Sequence, residues 1–267
     1  MRGRAHLTDR AAPDARLALL IAIAAAGVIA LLWHGPIPQS ASYHAFADQR
    51  SLFGIPNGSN TLSNLPFLLV GVAGLVALRR GVPGGGLPAL RAAYLAFFLG
   101  ATLLFPGSAW YHLAPSNHTL VWDRLPMTIA FMAFFAIILG EHVNPRLGAR
   151  LLLPLLGVGG ASVLAWWLSD DGTGGDLRLY VLVQYLPMLL IPVIVLAYPP
   201  ARRPTGYVWA LVAAYAIAKL FELLDGPVLS ATGIVSGHAL KHLVAAAGML
   251  VFLIGLFRRR ASPLMLP

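Results

Sequence analysis

The chain has 267 residues, of which 58% are hydrophobic and 11% charged. Soluble domains carry roughly 25% charged and 45–50% apolar residues, so a water-soluble globule is excluded. The formal charge is +9, from 19 Lys and Arg against 10 Asp and Glu, and the chain has no cysteine. A disulfide framework and any cysteine-ligated metal are therefore excluded. A basic balance fits either nucleic-acid binding or membrane loops held on the cytoplasmic side, and the positions of the charges decide between them.

Eight apolar stretches follow in order, at 17–33, 60–78, 92–112, 120–140, 151–168, 179–198, 206–224 and 238–257. Each is long enough to cross a hydrocarbon core of about 30 Å as a helix. Helices are expected because backbone groups in lipid must be satisfied internally, and the runs are continuous rather than alternating as in a barrel. The expected fold is all-α: a polytopic membrane helix bundle with a seven-helix core and one additional N-terminal helix. Pro66, Pro126, Pro154, Pro187 and Pro192 fall inside these stretches, which membrane helices tolerate. The first stretch could be a signal peptide. Its apolar core of about 17 residues exceeds the usual 7–15 and no small-residue cleavage site follows closely, so an uncleaved helix is expected. The expected organisation is an N-terminal cytoplasmic segment and extra helix at 1–33, an outer loop at 34–59, and the seven-helix core at 60–260.

The arginines sort by side. Arg2, Arg4, Arg10, Arg16, Arg79, Arg80, Arg91, Arg146, Arg150, Arg202, Arg203, Arg258, Arg259 and Arg260 share one side, against Arg50 and Arg178 on the other. Such a bias places both termini in the cytoplasm and leaves no charge for nucleic acid to explain. A chain rich in Ala, Arg and Gly further suggests a bacterial inner membrane, with the opposite face periplasmic.

Ionisable residues inside spans are costly and mark candidate sites. Ser108 and His112 end the third stretch, and Asp123 and Arg124 open the fourth. Glu222 and Asp225 close the seventh, and His238, Lys241 and His242 open the eighth. All fall toward the outer face, although they played no part in setting the topology. His238 and His242 are four apart and share a helix face. They are either hydrogen-bonded structural groups or two ligands of one metal, and His112 would supply a third nitrogen. Three protein ligands with an open position is the catalytic form of a zinc site, although imidazole also accepts copper, iron and nickel.

Ser108, one turn before His112, either bonds back to a carbonyl or faces the same place. Asp123 is a helix N-cap, a partner of Arg124, or a general base beside a metal-activated water. Lys241 is expected to snorkel outward, and Glu222 could contact a histidine ligand. His118 is expected to be solvated. His34, His44 and His142 have no evident partner. Trp110, Trp122, Trp166 and Trp167 read as interfacial belt residues.

The stretch GSAWYHLAPSNHTLVWDRLPM resembles the alkaline ceramidase signature: Ser108, His112 four later, Asp123 eleven beyond that, then Leu125-Pro126-Met127. NTLSNLPFLLVG, from Asn60, is similar to the opening of that family's first core helix. HALKH, His238 to His242, sits where the family has paired histidines. The three motifs span 60 to 242 in the right order, and the additional first helix lies outside them. The wider superfamily includes adiponectin-receptor-like proteins. The resemblance implies zinc held by His112, His238 and His242, with Asp123 activating water and protonating the leaving amine, and Ser108 steadying the oxyanion.

The activity it implies is hydrolysis of the amide bond of ceramide or a related N-acyl lipid, to free amine and fatty acid. The implied partners are a membrane lipid and the bilayer. Eukaryotic members also carry an acidic calcium site before the first core helix. Here Asp48 is the only carboxylate of that segment, with Asn57 three residues before Asn60, where the family has Glu. Calcium takes six to eight oxygen ligands with several charges, so this segment departs from the pattern, and Asp48 is expected to pair with Arg50. Two other classes stay open: a seven-helix receptor or sensor with structural zinc, and a bis-histidine haem carrier.

Overall fold

The computed structural model describes residues 14–200 and 204–259, so Arg2, Arg4, Arg10, Arg202, Arg203 and Arg260 lie outside the described residues. The helices are α1 Ala15–His34, α2 Gly58–Leu62, α3 Leu65–Leu78, α4 Arg91–Leu113, α5 Asn117–Ile138, α6 Pro145–Leu168, α7 Arg178–Ala197, α8 Gly206–Leu223, α9 Asp225–Thr232 and α10 Gly237–Arg258. With α2 and α3 forming one run, eight are long and apolar enough to cross a membrane. No strand occurs among the described residues. The chain is a multi-pass integral membrane protein with an all-helical bundle, as its apolar pattern requires.

Local chemistry sets the boundaries where they differ from the apolar runs. α5 begins at Asn117 rather than near 120, because Ser116 and Thr119 cap it reciprocally, each side chain meeting the other's backbone N–H. Asp123 therefore sits in the second turn and is not an N-cap. α6 begins at Pro145 rather than 151. Asn144 accepts from the N–H groups of Arg146 and Leu147, and Pro145 takes the first helical position, where a missing N–H costs nothing. The first core span breaks between α2 and α3, where Pro66 offers no N–H to the preceding turn; Ser63 and Asn64 lie at this break. The short helix α9 follows Asp225 and has no counterpart among the apolar runs.

Hydrogen bonds between connections show which of them share an end of the bundle. At one end, Gln39 donates to Gly174 and Leu177 to Ile37, and Arg50 reaches the carbonyls of Gly233 and Ile234. At the other, Gly85 donates to Leu256 and buried Arg259 pairs with buried Glu141 at 2.6 Å. The latter end holds Arg79, Arg80, Arg91, Arg146, Arg150 and Arg258, while Arg50, Arg178 and the Asp170–Asp176 loop hold the former.

An aromatic core of Tyr94, Phe97, Phe98, Phe134 and Phe252 fills the arginine-rich half. A second core, with Phe46, Tyr111, Leu120, Val163 and Trp166, fills the opposite half. Trp166 is fully buried and donates to the Gly174 carbonyl at 2.9 Å, so it is a core residue rather than a belt residue. Trp110, Trp122 and Trp167 are exposed, as belt residues are. α4 and α5 approach closely at Gly107, where any Cβ would meet the Trp122 carbonyl; small residues at such crossings are the usual device of membrane helices. α1 packs on α7 and buries none of its residues completely. Around the central cavity, α8 packs on α10, α10 on α3, α3 on α4, and α4 on α5, whereas the α7 and α8 backbones stand farther apart and meet through side chains such as Tyr185 and Lys219.

Candidate metal centre

Two helices deliver three imidazoles to one point. His112 comes from the last turn of α4, and His238 and His242 from the first two turns of α10. Their ligand nitrogens all lie within 4.8 Å of one another, and the ring centroids are 4.9 Å (His112–His238), 5.2 Å (His112–His242) and 5.0 Å (His238–His242) apart. All three are buried. α10 is held in position by its caps. Ser236 accepts from the Ala239 N–H, and Asp225 accepts from the His238 N–H at 2.8 Å and from Ala47 at 2.9 Å. Gly237 permits this because a Cβ there would strike the Phe221 carbonyl.

Both ring nitrogens of His112 and Nε2 of His238 are buried without a hydrogen-bond partner among the described residues. Leaving a buried polar atom unsatisfied costs about 1–3 kcal/mol, and three at one point is unusual for a native interior. His242 is different. The Ser63 hydroxyl donates to the Asn60 carbonyl at 3.0 Å and lies 2.8 Å from His242 Nδ1. The Nδ1–H of His242 is thus the donor to Ser63, and Nε2 keeps its lone pair. Converging neutral nitrogens, one oriented by a hydrogen bond on its far side, are the donor set of a metal site. The residues fit a metal ion.

The walls are equally specific. The Phe46 ring packs on His112 (4.7 Å) and His238 (4.6 Å) and is itself buried, so the connection between α1 and α2 covers the cluster through this ring. Asn57 donates to the His112 carbonyl at 2.8 Å, satisfying one of the orphan carbonyls at the end of α4. On the opposite side the cluster meets a cavity of about 320 Å³, lined by His242, Ser108, Asp123, Asn64 and Tyr43, with Phe97, Phe131, Met127 and Met249 among the apolar residues. Ser108 Oγ is buried and does not bond back along α4; it lies toward the Asp123 carboxylate without completing a hydrogen bond. Ser108, Asp123 and His242 thus line the same cavity, and His242 joins it to His112 and His238.

Several sequence expectations need correction. Asp123 does not pair with Arg124. The Arg124 guanidinium turns to Gln39 Oε1 and stacks on Trp166 and Tyr180, 4.2 and 4.6 Å from the ring centroids. Lys241 does not snorkel outward. Its ammonium bonds Glu222 at 2.7 Å and lines the cavity. Among the described residues Glu222 makes no hydrogen bond to a histidine; it is shared by Lys241, Lys219 and the Tyr43 hydroxyl. His44 has partners after all, in Tyr111 (3.0 Å) and Asn117 (2.9 Å), and His142 meets the Tyr198 carbonyl at 3.0 Å. His118 and His34 are exposed.

Asp48 pairs with Arg50 as expected, its two oxygens 2.8 and 2.9 Å from the guanidinium. Hydrogen bonding to Arg50 lowers its carboxyl to about 2. The same guanidinium reaches the Gly233 and Ile234 carbonyls at 3.3 and 2.7 Å. With Asp48 held by Arg50 and the Asn57 amide turned to His112, these two residues do not form the oxygen cage calcium requires.

Sequence reasoning missed Phe46 and Ser63. Ser63 lay within the recognised NTLSNLPFLLVG segment, and its polarity in an apolar run was the available signal. Nothing local marked Phe46. No protein-family model matches the chain, and no curated protein matches it. The class defined by fold and site is therefore a membrane helical bundle with a buried three-histidine group able to hold a metal ion.

Proposed function

We propose that the protein is a zinc-dependent membrane amidohydrolase, similar in design to alkaline ceramidases, that cleaves ceramide or a related N-acyl lipid to free amine and fatty acid. The observation that carries this reading is the three-imidazole group with unpartnered nitrogens, set at the polar end of an apolar cavity. Three neutral imidazoles and an open position favour zinc. When bound there, zinc lowers the pKa of water toward 7 and polarises a carbonyl. In this reading both termini are cytoplasmic, the site lies toward the periplasmic face of a bacterial inner membrane, and the arginine-rich end is the inner one.

The side chains divide the remaining work. Phe67, Phe97, Phe131, Phe134 and Met249 hold the acyl chain and exclude bulk water. The loosely packed α7–α8 seam admits the chain from the bilayer. Asp123 takes a proton from the attacking water as its oxygen bonds to the amide carbon, and delivers that proton to the nitrogen as the C–N bond breaks. The Ser108 hydroxyl donates to the carbonyl oxygen as negative charge grows on it. Each proton is accounted for, and the products are a carboxylic acid and an amine.

The test is metal analysis of purified protein together with a screen of N-acyl lipids, comparing the wild type with His112→Ala. The expected result is about one zinc per chain and release of fatty acid, both lost in the variant. Zinc retained without turnover on any N-acyl lipid would replace the enzyme reading with a receptor or sensor built on structural zinc. A Soret band in the visible spectrum would replace both.

A further inference from the structure

We propose that the polar end of the cavity is an anion-binding site, and that the lipid taken by this chain carries a carboxylate or phosphate group on its polar part. That this lipid is also cleaved rests on the amidohydrolase reading; the binding site itself does not depend on hydrolysis.

The cavity brings together three cations, Arg124, Lys219 and Lys241, and two carboxylates, Asp123 and Glu222. Glu222 is already spent on both lysines and on Tyr43, and Asp123 makes no ion pair with Arg124. Three cations against two carboxylates leave this end of the cavity with one net positive charge, which an entering anion would balance. A metal ion in the histidine cluster only adds to that excess.

Arg124 shows where the counter-charge would sit. The residue is 5% exposed and lines the cavity; Nη2 bonds Gln39, while Nη1 is buried with no hydrogen-bond partner among the described residues. Its guanidinium carbon lies 4.2 and 4.6 Å from the Trp166 and Tyr180 ring centroids, so aromatic packing and the Gln39 contact hold it in place. A planar donor with one unused N–H edge is suited to an oxyanion. The Tyr43 ring lies 5.8 Å from the Arg124 guanidinium carbon, and its hydroxyl meets Glu222. It thereby joins Arg124 to the lysine pair across the cavity. A neutral headgroup would satisfy the free N–H but leave the charge uncompensated.

The experiment measures binding to zinc-loaded full-length protein in detergent, by displacement of a fluorescent fatty-acyl probe. N-oleoylglycine, its neutral counterpart N-oleoylethanolamine, and N-oleoyl-O-phosphoethanolamine are compared. At least one anionic lipid is expected to bind 10-fold or more tighter than the neutral one; the carboxylate and phosphate arms tell which anion is preferred. Arg124→Gln should erase the preference at unchanged zinc content, and Arg124→Lys should restore part of it. Lys241→Gln serves as a second probe if the Arg124 variants do not fold. Equal affinity for neutral and anionic lipids in the wild type overturns the proposal without any variant. Hydrolysis is scored separately. A charge preference without turnover overturns the amidohydrolase and leaves the anion site standing, whereas turnover of neutral and anionic lipids with equal KM does the reverse.

Discussion

Ser63 Oγ lies 2.8 Å from Nδ1 of His242, although the two residues are 179 positions apart. This contact fixes the tautomer of one imidazole in the cluster and orients its ring. Removing such a partner typically costs 10–100-fold in metal affinity. Ser63→Ala is therefore expected to fold normally and to bind zinc about 10–100-fold more weakly, measured by competition with a chelator of known affinity. Unchanged affinity would mean that His242 is oriented by packing alone.

Asp123 lines the cavity beside Ser108 and His242 and has no ion-pair partner among the described residues. Asp123→Asn keeps shape while removing the proton acceptor. The expected outcome is full zinc content, an unchanged melting temperature, and a fall in kcat on a cleavable N-acyl lipid of about 10²–10⁴-fold. A fall in zinc content would instead make Asp123 a ligand.

Phe46, buried in the second core, covers the His112 and His238 rings from the connection between α1 and α2. Its truncation removes a fully packed ring, and Phe→Ala changes in cores cost about 3–5 kcal/mol. Phe46→Ala is expected to lower the melting temperature of the metal-loaded protein and to speed zinc loss to EDTA. Phe46→Leu, which refills much of the volume, should lie between the two. Equal zinc release from all three proteins would rule out a covering role.

The Asp48–Arg50 pair has a definite pH signature. Asp48 has a lowered folded pKa, near 2 against an ordinary 3.8. Its contribution is therefore complete above the unfolded value, and it is lost as pH falls from about 4 toward 2. Because Arg50 is half exposed to solvent, the effect is modest. Thermal melts in detergent between pH 6 and 2 should show a downward step in the wild type at the acid end. The step should be smaller in Asp48→Asn.

The helices were legible because an apolar run of about 20 residues leaves a membrane chain few alternatives. The His238–His242 pair was legible because i, i+4 spacing needs no tertiary information, while His112 joined it only through the shared outer face and the resemblance. What could not be read depends on pairings across the bundle. Arg124 lies next to Asp123 in sequence, but a helical turn of about 100° per residue points the two in different directions. Lys241 sits between two candidate ligands, yet its partner is on α8, nineteen positions away. His44 looked solitary until α4 and α5 supplied Tyr111 and Asn117. Phe46 lies in a connection whose path follows from Asp225, Asp48 and Arg50 jointly, and no periodicity encodes such a path.

α1 rests along α7, with Arg16 stacked on Tyr198 and Asp14 accepting from the Tyr198 hydroxyl at 3.2 Å. α7 carries Pro187 and Pro192 inside its length, and each removes one rung of its hydrogen-bonded ladder. It also forms one jamb of the seam through which a long-chain molecule would pass. The outlying helix thus braces α7 along its length without lining the cavity or reaching the histidines. On the proposed reading, shortening or unseating it slows or speeds lipid entry while leaving the affinity of the three-histidine group for metal unchanged.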